Sequence, residues 1–401
     1  MGTIQLAAHE ICTGCGACAY KCPKHCIHMR EDDKGIVVPV INDTTCIECH
    51  SCEKACPILN PVPSHKPTIA YAAWSNNEEE RRTSASGGIA AEMYKHALAN
   101  GYKVVGASQD KDFSVTHKLT TKEEDIELFK NSKYVFSDAH AAFDPIKQAL
   151  SKGSKVLFIG LPCQVAALRK LFKDNESLLL VELVCHGTTP YSYLKQHIDM
   201  LSRQAGKTAK RMSFRDPHTY TYTYTFTLYD EDGQRFYAKR TKDGDTYQFG
   251  YHRAISYREN CYHCRFAKPE RIADITIADY HGLGLSSPCS YDAKNVSLIL
   301  VNTTKGIQWI EALIASKRIH TDQRPLEEPV KGEAQLRHPS LKSKYRLMFE
   351  KEISAWNGDF EKAIQKPMQS YRYDERLKTT YRLPIKVLKH IAKAIIGNKK
   401  K

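Results

Sequence analysis

Two runs of cysteine open the chain: CTGCGACAYKCP at 12–23 and CIECHSCEKACP at 46–57. Each reads C-x-x-C-x-x-C-x-x-x-C-P, so the segment repeats one ligand pattern. Three closely spaced thiolates can wrap three irons of a cubane, and the fourth is carried past it to a second cluster. That pairing assigns one 4Fe–4S cluster to Cys12, Cys15, Cys18 and Cys56. It assigns a second to Cys46, Cys49, Cys52 and Cys22. Zinc is the competing occupant, and two complete tandem runs argue against it on ligand count. Pro23 and Pro57 close the runs without an amide donor. Cys26 is left over and reads as a small buried thiol, while Cys289 carries no assigned role.

Four cysteines remain, and two of them stand in RENCYHCRFAKPERIADITIADYHG at 258–282. Cys261 and Cys264 have C-x-x-C spacing, half of a four-ligand site. Cys163 follows the apolar run KVLFIG (155–160), in the first turn of a helix opened by Pro162. Cys185 directly follows the strand-like SLLLVELV (177–184). If those strands are parallel neighbours, a right-handed crossover puts both cysteines at one sheet edge. A helix N-terminus also favours a thiolate. Spacing alone leaves two readings open: one shared site, or two unrelated buried thiols.

The elements that position these residues alternate. YAAWS (71–75) and YKVVGAS (102–108) read as strands. Between them SGGIAAEMYKHALANG reads as a helix capped by Ser86, with Ile89, Met93 and Ala97 inward and Gly101 as its stop. The class is therefore α+β and α/β: a cysteine-rich module, then an α/β body with a mostly parallel sheet. TYTYTYTFTLYD (219–230) alternates strictly and QRFYAKR returns, predicting an added β-hairpin with one exposed face. PVPSHKP (61–67) reads as a stiff linker. The divisions expected are 1–62, 63–150, 151–350 and a basic helical tail at 351–401. His186, His263 and His281 read as structural or exposed side chains.

Net charge is +14, yet residues 1–62 hold five basic against seven acidic side chains, so the excess lies in the body. A basic body suits an anionic ligand. No basic run is interleaved with aromatics, and nucleic acid is not expected. No apolar stretch reaches the ~18 residues of a membrane span, and no signal peptide is read at the start. With eight of the 14 cysteines in two ligand-spaced runs, a cytoplasmic, reducing location is expected. The tail RLPIKVLKHIAKAIIGNKKK (382–401) has seven basic residues and no acid. It reads as an amphipathic helix suited to peripheral contact with the inner face of a membrane.

The first sixty residues resemble a two-cluster bacterial ferredoxin over their whole length, which implies a redox partner protein or small-molecule electron donor. The body resembles another family: the beta subunits of coenzyme-420-reducing hydrogenases and related dehydrogenases. The resembling pieces are RTSASGGIAA, SKYVFS, VLFIGLPCQVAALRKL, LVCHGTTP and the 258–282 stretch, in the family's order. The resemblance implies FAD and a third 4Fe–4S cluster, with Cys163, Cys185, Cys261 and Cys264 at the matching positions; an all-sulfur set also suits zinc. No G-x-G-x-x-G is present. Instead Ser84, Ser86, Gly87 and Gly88 make a small polar approach to a helix N-terminus that could bind a pyrophosphate. Lys133 and Ser137, in the second motif, would add a charge and a hydroxyl. The family's G-D-aromatic-W-G reads Ala278-Asp279-Tyr280-His281-Gly282, a departure that bears on the deazaflavin substrate. Some relatives reduce a chlorophyll-pathway intermediate, and some accompany surface-polysaccharide genes. The resemblance thus implies an iron–sulfur flavoprotein oxidoreductase acting on an unnamed organic substrate, or an electron-relay subunit without substrate chemistry. Asp279 is the one candidate proton donor.

Overall fold

The structure is a computed structural model describing residues 4–292 and 294–379. The amphipathic tail expected at 382–401 lies outside the described residues. Two compact units are present, Met1–Leu341 and Lys342–Lys401. Among the described residues, no helix is long and apolar enough to cross a membrane.

Strands β1 (Ile27–Glu31) and β2 (Val37–Ile41) form an antiparallel ribbon between the two cysteine runs. The body is built on β3 (Ile69–Ser75), β4 (Lys103–Gln109), β5 (Val115–Thr120), β6 (Ser137–Asp138), β7 (Val156–Gly160) and β8 (Leu178–Leu183). A small sheet follows, from β9 (Arg211–Ser213), β10 (Thr225–Tyr229) and β11 (Arg235–Arg240). Strands β12 (Ile275–Asp279), β13 (Ser297–Val301) and β14 (Ile319–Arg324) complete the large sheet. Its order is β14-β3-β13-β12-β8-β7-β4-β5-β6.

The centre of this sheet, β4-β7-β8-β12, is parallel, and antiparallel strands extend it on both sides. Parallel strands need both faces covered, and the burial of β7 shows it. Leu157 and Ile159 face one apolar core; Val156 and Phe158 face the other. Helix Pro162–Phe172 makes the β7-to-β8 crossover and starts with proline, where the missing amide costs nothing. It buries Val165, Leu168 and Leu171, about 1.5–3 kcal/mol for each full side chain. The cysteine-rich segment packs on the same face through Ala17 and Ile58.

Two local expectations change. The helix after SGG spans Ile89–Ala99, and its N-cap is Gly88 at φ 82, not Ser86. Residues 84–88 form a bend in which the Ser86 hydroxyl donates to Val296 O at 3.0 Å, so it is spent before the helix begins. The hairpin is shorter than the alternation implies. Residues 217–219 and 221–223 are 3-10 turns, and β10 is buried along its whole length. As the middle strand of three, with Phe226 packed on Phe214 and Tyr247, it has no solvent face.

In the second unit, helix Lys344–Ala355 is capped by Ser343, whose hydroxyl accepts from Arg346 N. Phe349 and Phe360 meet edge-on at 6.0 Å.

Candidate functional site

Each N-terminal cysteine run wraps one short helical turn, Ala17–Tyr20 or Ser51–Ala55, after a residue at positive φ (Gly16, 76°; His50, 56°). Burial raises the thiol pKa of Cys12, Cys15 and Cys18, that of Cys15 to about 11, and their own neighbours and Cys56 add to it. Cys22, Cys46, Cys49 and Cys52 surround a second small cavity that also takes in Cys26. The Cys26 sulfur is 3.3 Å from that of Cys22. Cys49 and Ile47 are exposed, so this end of the segment faces solvent.

Cys163, Cys185, Cys261 and Cys264, far apart in sequence, line one cavity of about 40 Å³. Cys163 and Cys185 follow the carboxyl ends of β7 and β8, which pair in parallel with Gly160 opposite Glu182. The loop bearing Cys261 and Cys264 is pulled onto β8 by Arg271, whose guanidinium meets Glu182 at 2.6 Å with both side chains buried. Burial raises Cys163, Cys185 and Cys264, the last to about 11, and each feels other sulfurs of the set. Four sulfurs crowded out of water are poorly stable as bare thiolates and suit a cationic metal core. The amide of Thr188 donates to the Cys261 sulfur at 3.4 Å. Cys15 of the first run lines the same cavity and acts electrostatically on Cys163.

Behind the cysteines lies a larger cavity of about 300 Å³. Cys185, His186, Gly187 and Thr188 line both spaces, as do Ser137, Leu161 and Gln164, so the two cavities share a wall. Ser84, Ser86, Gly88, Lys133, Ser137 and Asp279 all line the larger cavity. Gly87 does not. Its amide donates to the Ser297 hydroxyl at 2.9 Å, and a Cβ there would run into the Ala73 carbonyl, so its job is to seat the bend on β3. The hydroxyls of Ser84 and Ser137 are also engaged, donating to Glu80 and accepting from Gln164. Burial lowers Lys133 to about 7, and its amine donates to the carbonyls of Leu128 and Lys130 at 2.8 Å. Helix Ile89–Ala99 has no side-chain cap, and its first residues line the cavity.

Sequence matching agrees with this layout. The family models for the coenzyme F420 hydrogenase/dehydrogenase beta subunit match residues 70–143 (N-terminal part) and 153–326 (C-terminal part), together more than half of the chain. The chain belongs to this family of beta subunits. A 4Fe–4S dicluster domain matches residues 11–59, so the chain carries a 4Fe–4S binding module. It is 24% identical over 193 residues to a component of the F(420)H(2) dehydrogenase of Methanosarcina mazei, covering 45% of this chain and 55% of that one. An uncharacterized protein of Methanocaldococcus jannaschii is 25% identical over 225 residues, covering 45% and 61%. The match thus spans little more than half of each relative. Among solved structures, a chain of the xenon-derivatized F420-reducing [NiFe] hydrogenase complex of Methanosarcina barkeri is similar at TM-score 0.43 and 20% identity, over 77% of this chain and 92% of that one.

Within this frame several cavity residues had no sequence signal. Arg215, buried at 4% exposure, reaches in from β9's loop, and its Nη1 donates to Asp279 at 2.8 Å. The Tyr224 hydroxyl reaches the same Asp279 oxygen at 3.3 Å. Asp279 is thereby tied to both Arg215 and Tyr224 at the cavity wall. Tyr134 and Tyr251 stack at 4.4 Å. Burial lowers His117 and His252 to about 4, so both imidazoles are neutral. His117 lies beside backbone groups of Asp138 and Ile159, whereas Nε2 of His252 makes no hydrogen bond. Buried polar atoms left this way are uncommon and point to a polar ligand in the cavity.

Proposed function

We propose that this chain is an iron–sulfur flavoprotein oxidoreductase holding three 4Fe–4S clusters and FAD, which exchanges electrons with an organic substrate. One observation carries the reading: Cys163, Cys185, Cys261 and Cys264 share a cavity with Cys15 on one side and share a wall with the 300 Å³ cavity on the other. Electrons arriving singly would enter at the Cys22/46/49/52 set, on the side of the exposed Cys49, from a redox partner protein or small donor. They would pass through the Cys12/15/18/56 set to the strand-end set. Bound FAD supplies the conversion between one-electron and two-electron chemistry.

The chain's own residues would hold that group. The uncapped N-terminus of Ile89–Ala99 favours a pyrophosphate. Lys133 and Arg215 add positive charge, and the orphaned Nε2 of His252 offers a hydrogen bond. Tyr134 and Tyr251 form an aromatic wall that excludes water from one side. The deazaflavin named for the relatives is one substrate class. The Ala278 and His281 departure favours another organic substrate, such as a surface-polysaccharide intermediate.

Anaerobic purification with iron and flavin analysis tests this. The reading expects about twelve irons and one FAD per chain. About eight irons without flavin would overturn it in favour of a relay subunit. Twelve irons without flavin would keep the relay and remove the substrate chemistry.

A further inference from the structure

His186, His281 and Glu333 meet at the wall of the larger cavity, with one ligand atom from each within 4.8 Å of the others. Three separate elements bring them there. His186 lies beyond the carboxyl end of β8 and His281 beyond that of β12, its parallel neighbour. Glu333 caps the carboxyl end of helix Glu327–Gly332. Both histidines are half-exposed, whereas Glu333 is buried.

The approach is built, not incidental. Gly332 packs against the His281 carbonyl and the Cα of Gly282, so closely that a Cβ there has no room. Gly282 turns the chain at φ 82. The other Glu333 oxygen accepts the Gln335 amide at 3.1 Å, and the His186 carbonyl accepts the Ser340 hydroxyl at 2.7 Å. Both contacts fix the orientation of a would-be ligand, as outer-shell bonds do around metals.

The distances are the telling feature. Nε2 of His186 lies 3.4 Å, and Nε2 of His281 3.7 Å, from the same Glu333 oxygen. Charged hydrogen bonds run at about 2.7–2.9 Å, so these are too long. Ligands bound to zinc at about 2.0–2.2 Å stand about 3.3–3.6 Å apart at tetrahedral angles. The cis edge of an octahedron at such bond lengths is nearer about 3.0 Å. The 3.4 Å separation falls inside the tetrahedral range and the 3.7 Å one just outside it, so a small movement brings the buried carboxylate and the two imidazoles to three corners of a tetrahedron.

From this geometry we infer that His186, His281 and Glu333 form a mononuclear site for a zinc-class divalent cation, separate from every cysteine set. Two imidazoles, one carboxylate and a free fourth position are the ligand pattern of catalytic zinc. The fourth position is left for water or a substrate oxygen on the cavity side, where the cation would polarise it.

The test uses the full-length holoprotein, purified anaerobically, mixed with equimolar zinc sulfate and desalted. Metal analysis is expected to find about one zinc per chain beside unchanged iron, with nitrogen and oxygen scatterers in zinc X-ray absorption. His281→Ala, at a half-exposed position that leaves the fold intact, should lose that zinc while keeping its iron; Glu333→Gln should do the same. The inference fails if wild type with full iron retains no zinc. It fails equally if zinc persists in His281→Ala, or if its ligands are sulfurs at about 2.3 Å.

Discussion

Arg258 holds Thr13 across 245 positions of sequence: its Nη1 donates to the Thr13 carbonyl at 3.0 Å. Its Nη2 donates to Val37 O at 3.1 Å, and the guanidinium lies 4.5 Å over the Phe136 ring. Thr13 follows Cys12, and Arg258 precedes Cys261 by three residues, so one buried side chain clamps a ferredoxin-type run to the strand-end cysteine loop.

Replacing Arg258 with Met leaves the buried Thr13 carbonyl and the part-buried Val37 carbonyl without their charged donor, at about 1–3 kcal/mol for a buried group. Arg258→Met should lower stability by at least about 1 kcal/mol in urea unfolding of the anaerobic holoprotein. Gly14→Ala should act at the same clamp. Its Cβ would stand 2.7 Å from Val37 O and 2.8 Å from the Arg258 Nη2, at φ 65.

Glu182 and Arg271 make a second prediction. The Thr276 hydroxyl also donates to Glu182, and Arg271 donates to the carbonyls of Phe266 and Lys268. Removing one partner of a buried pair costs about 3–5 kcal/mol, because the other charge is stranded. Arg271→Met should destabilise by that amount and shed the irons of the strand-end set first. Iron counting during a urea titration reads the order of loss.

Changing Cys261 and Cys264 together to Ser separates the cysteine sets. About four irons should disappear while the two N-terminal sets keep theirs, measured by iron analysis and low-temperature EPR. Loss of no iron would refute a strand-end cluster.

Lys133 predicts a pH dependence. Its folded pKa of about 7 lies below the ordinary lysine value of about 10.4. Below about 7 both folded and unfolded states hold the proton, and the full cost of burying a charge is present. As pH rises from there the folded state sheds its proton first, so flavin-free protein should gain stability. Binding of anionic FAD should weaken over the same rise, because the cavity loses a cation. Fluorescence titration of FAD between pH 6 and 8 checks this, and Lys133→Met should flatten the profile.

A fifth outcome concerns the bend at 84–88. Gly87→Ala forces a Cβ toward the Ala73 carbonyl, and overpacking of this kind costs about 1–3 kcal/mol. The variant should release FAD more readily while its iron content stays unchanged.

The N-terminal ligand pattern was readable in the chain itself, because the sulfurs of each run are set by local spacing around one helical turn. Strands at 155–160 and 177–184 were readable for a similar reason: apolar runs that short, separated by a helix, must be buried. Where local pattern met tertiary packing, it lost. Ser86 has the residue type of a cap, yet its hydroxyl is drawn to Val296 and glycine opens the helix. The tyrosine–threonine alternation promised a half-exposed hairpin, and aromatic packing plus a third strand buried β10.

The residues alone, then, mark out the two ferredoxin-type cysteine runs and the presence of an alternating α/β body. Which sulfurs share a cavity, and that Asp279 is tied to Arg215, emerged with the tertiary structure. Parallel register is the physical reason. Pairing β7, β8 and β12 side by side brings three strand ends, remote in sequence, to one edge of the sheet. There Cys163, Cys185 and His281 become neighbours of one connected pair of cavities, a relation that no spacing along the chain encodes.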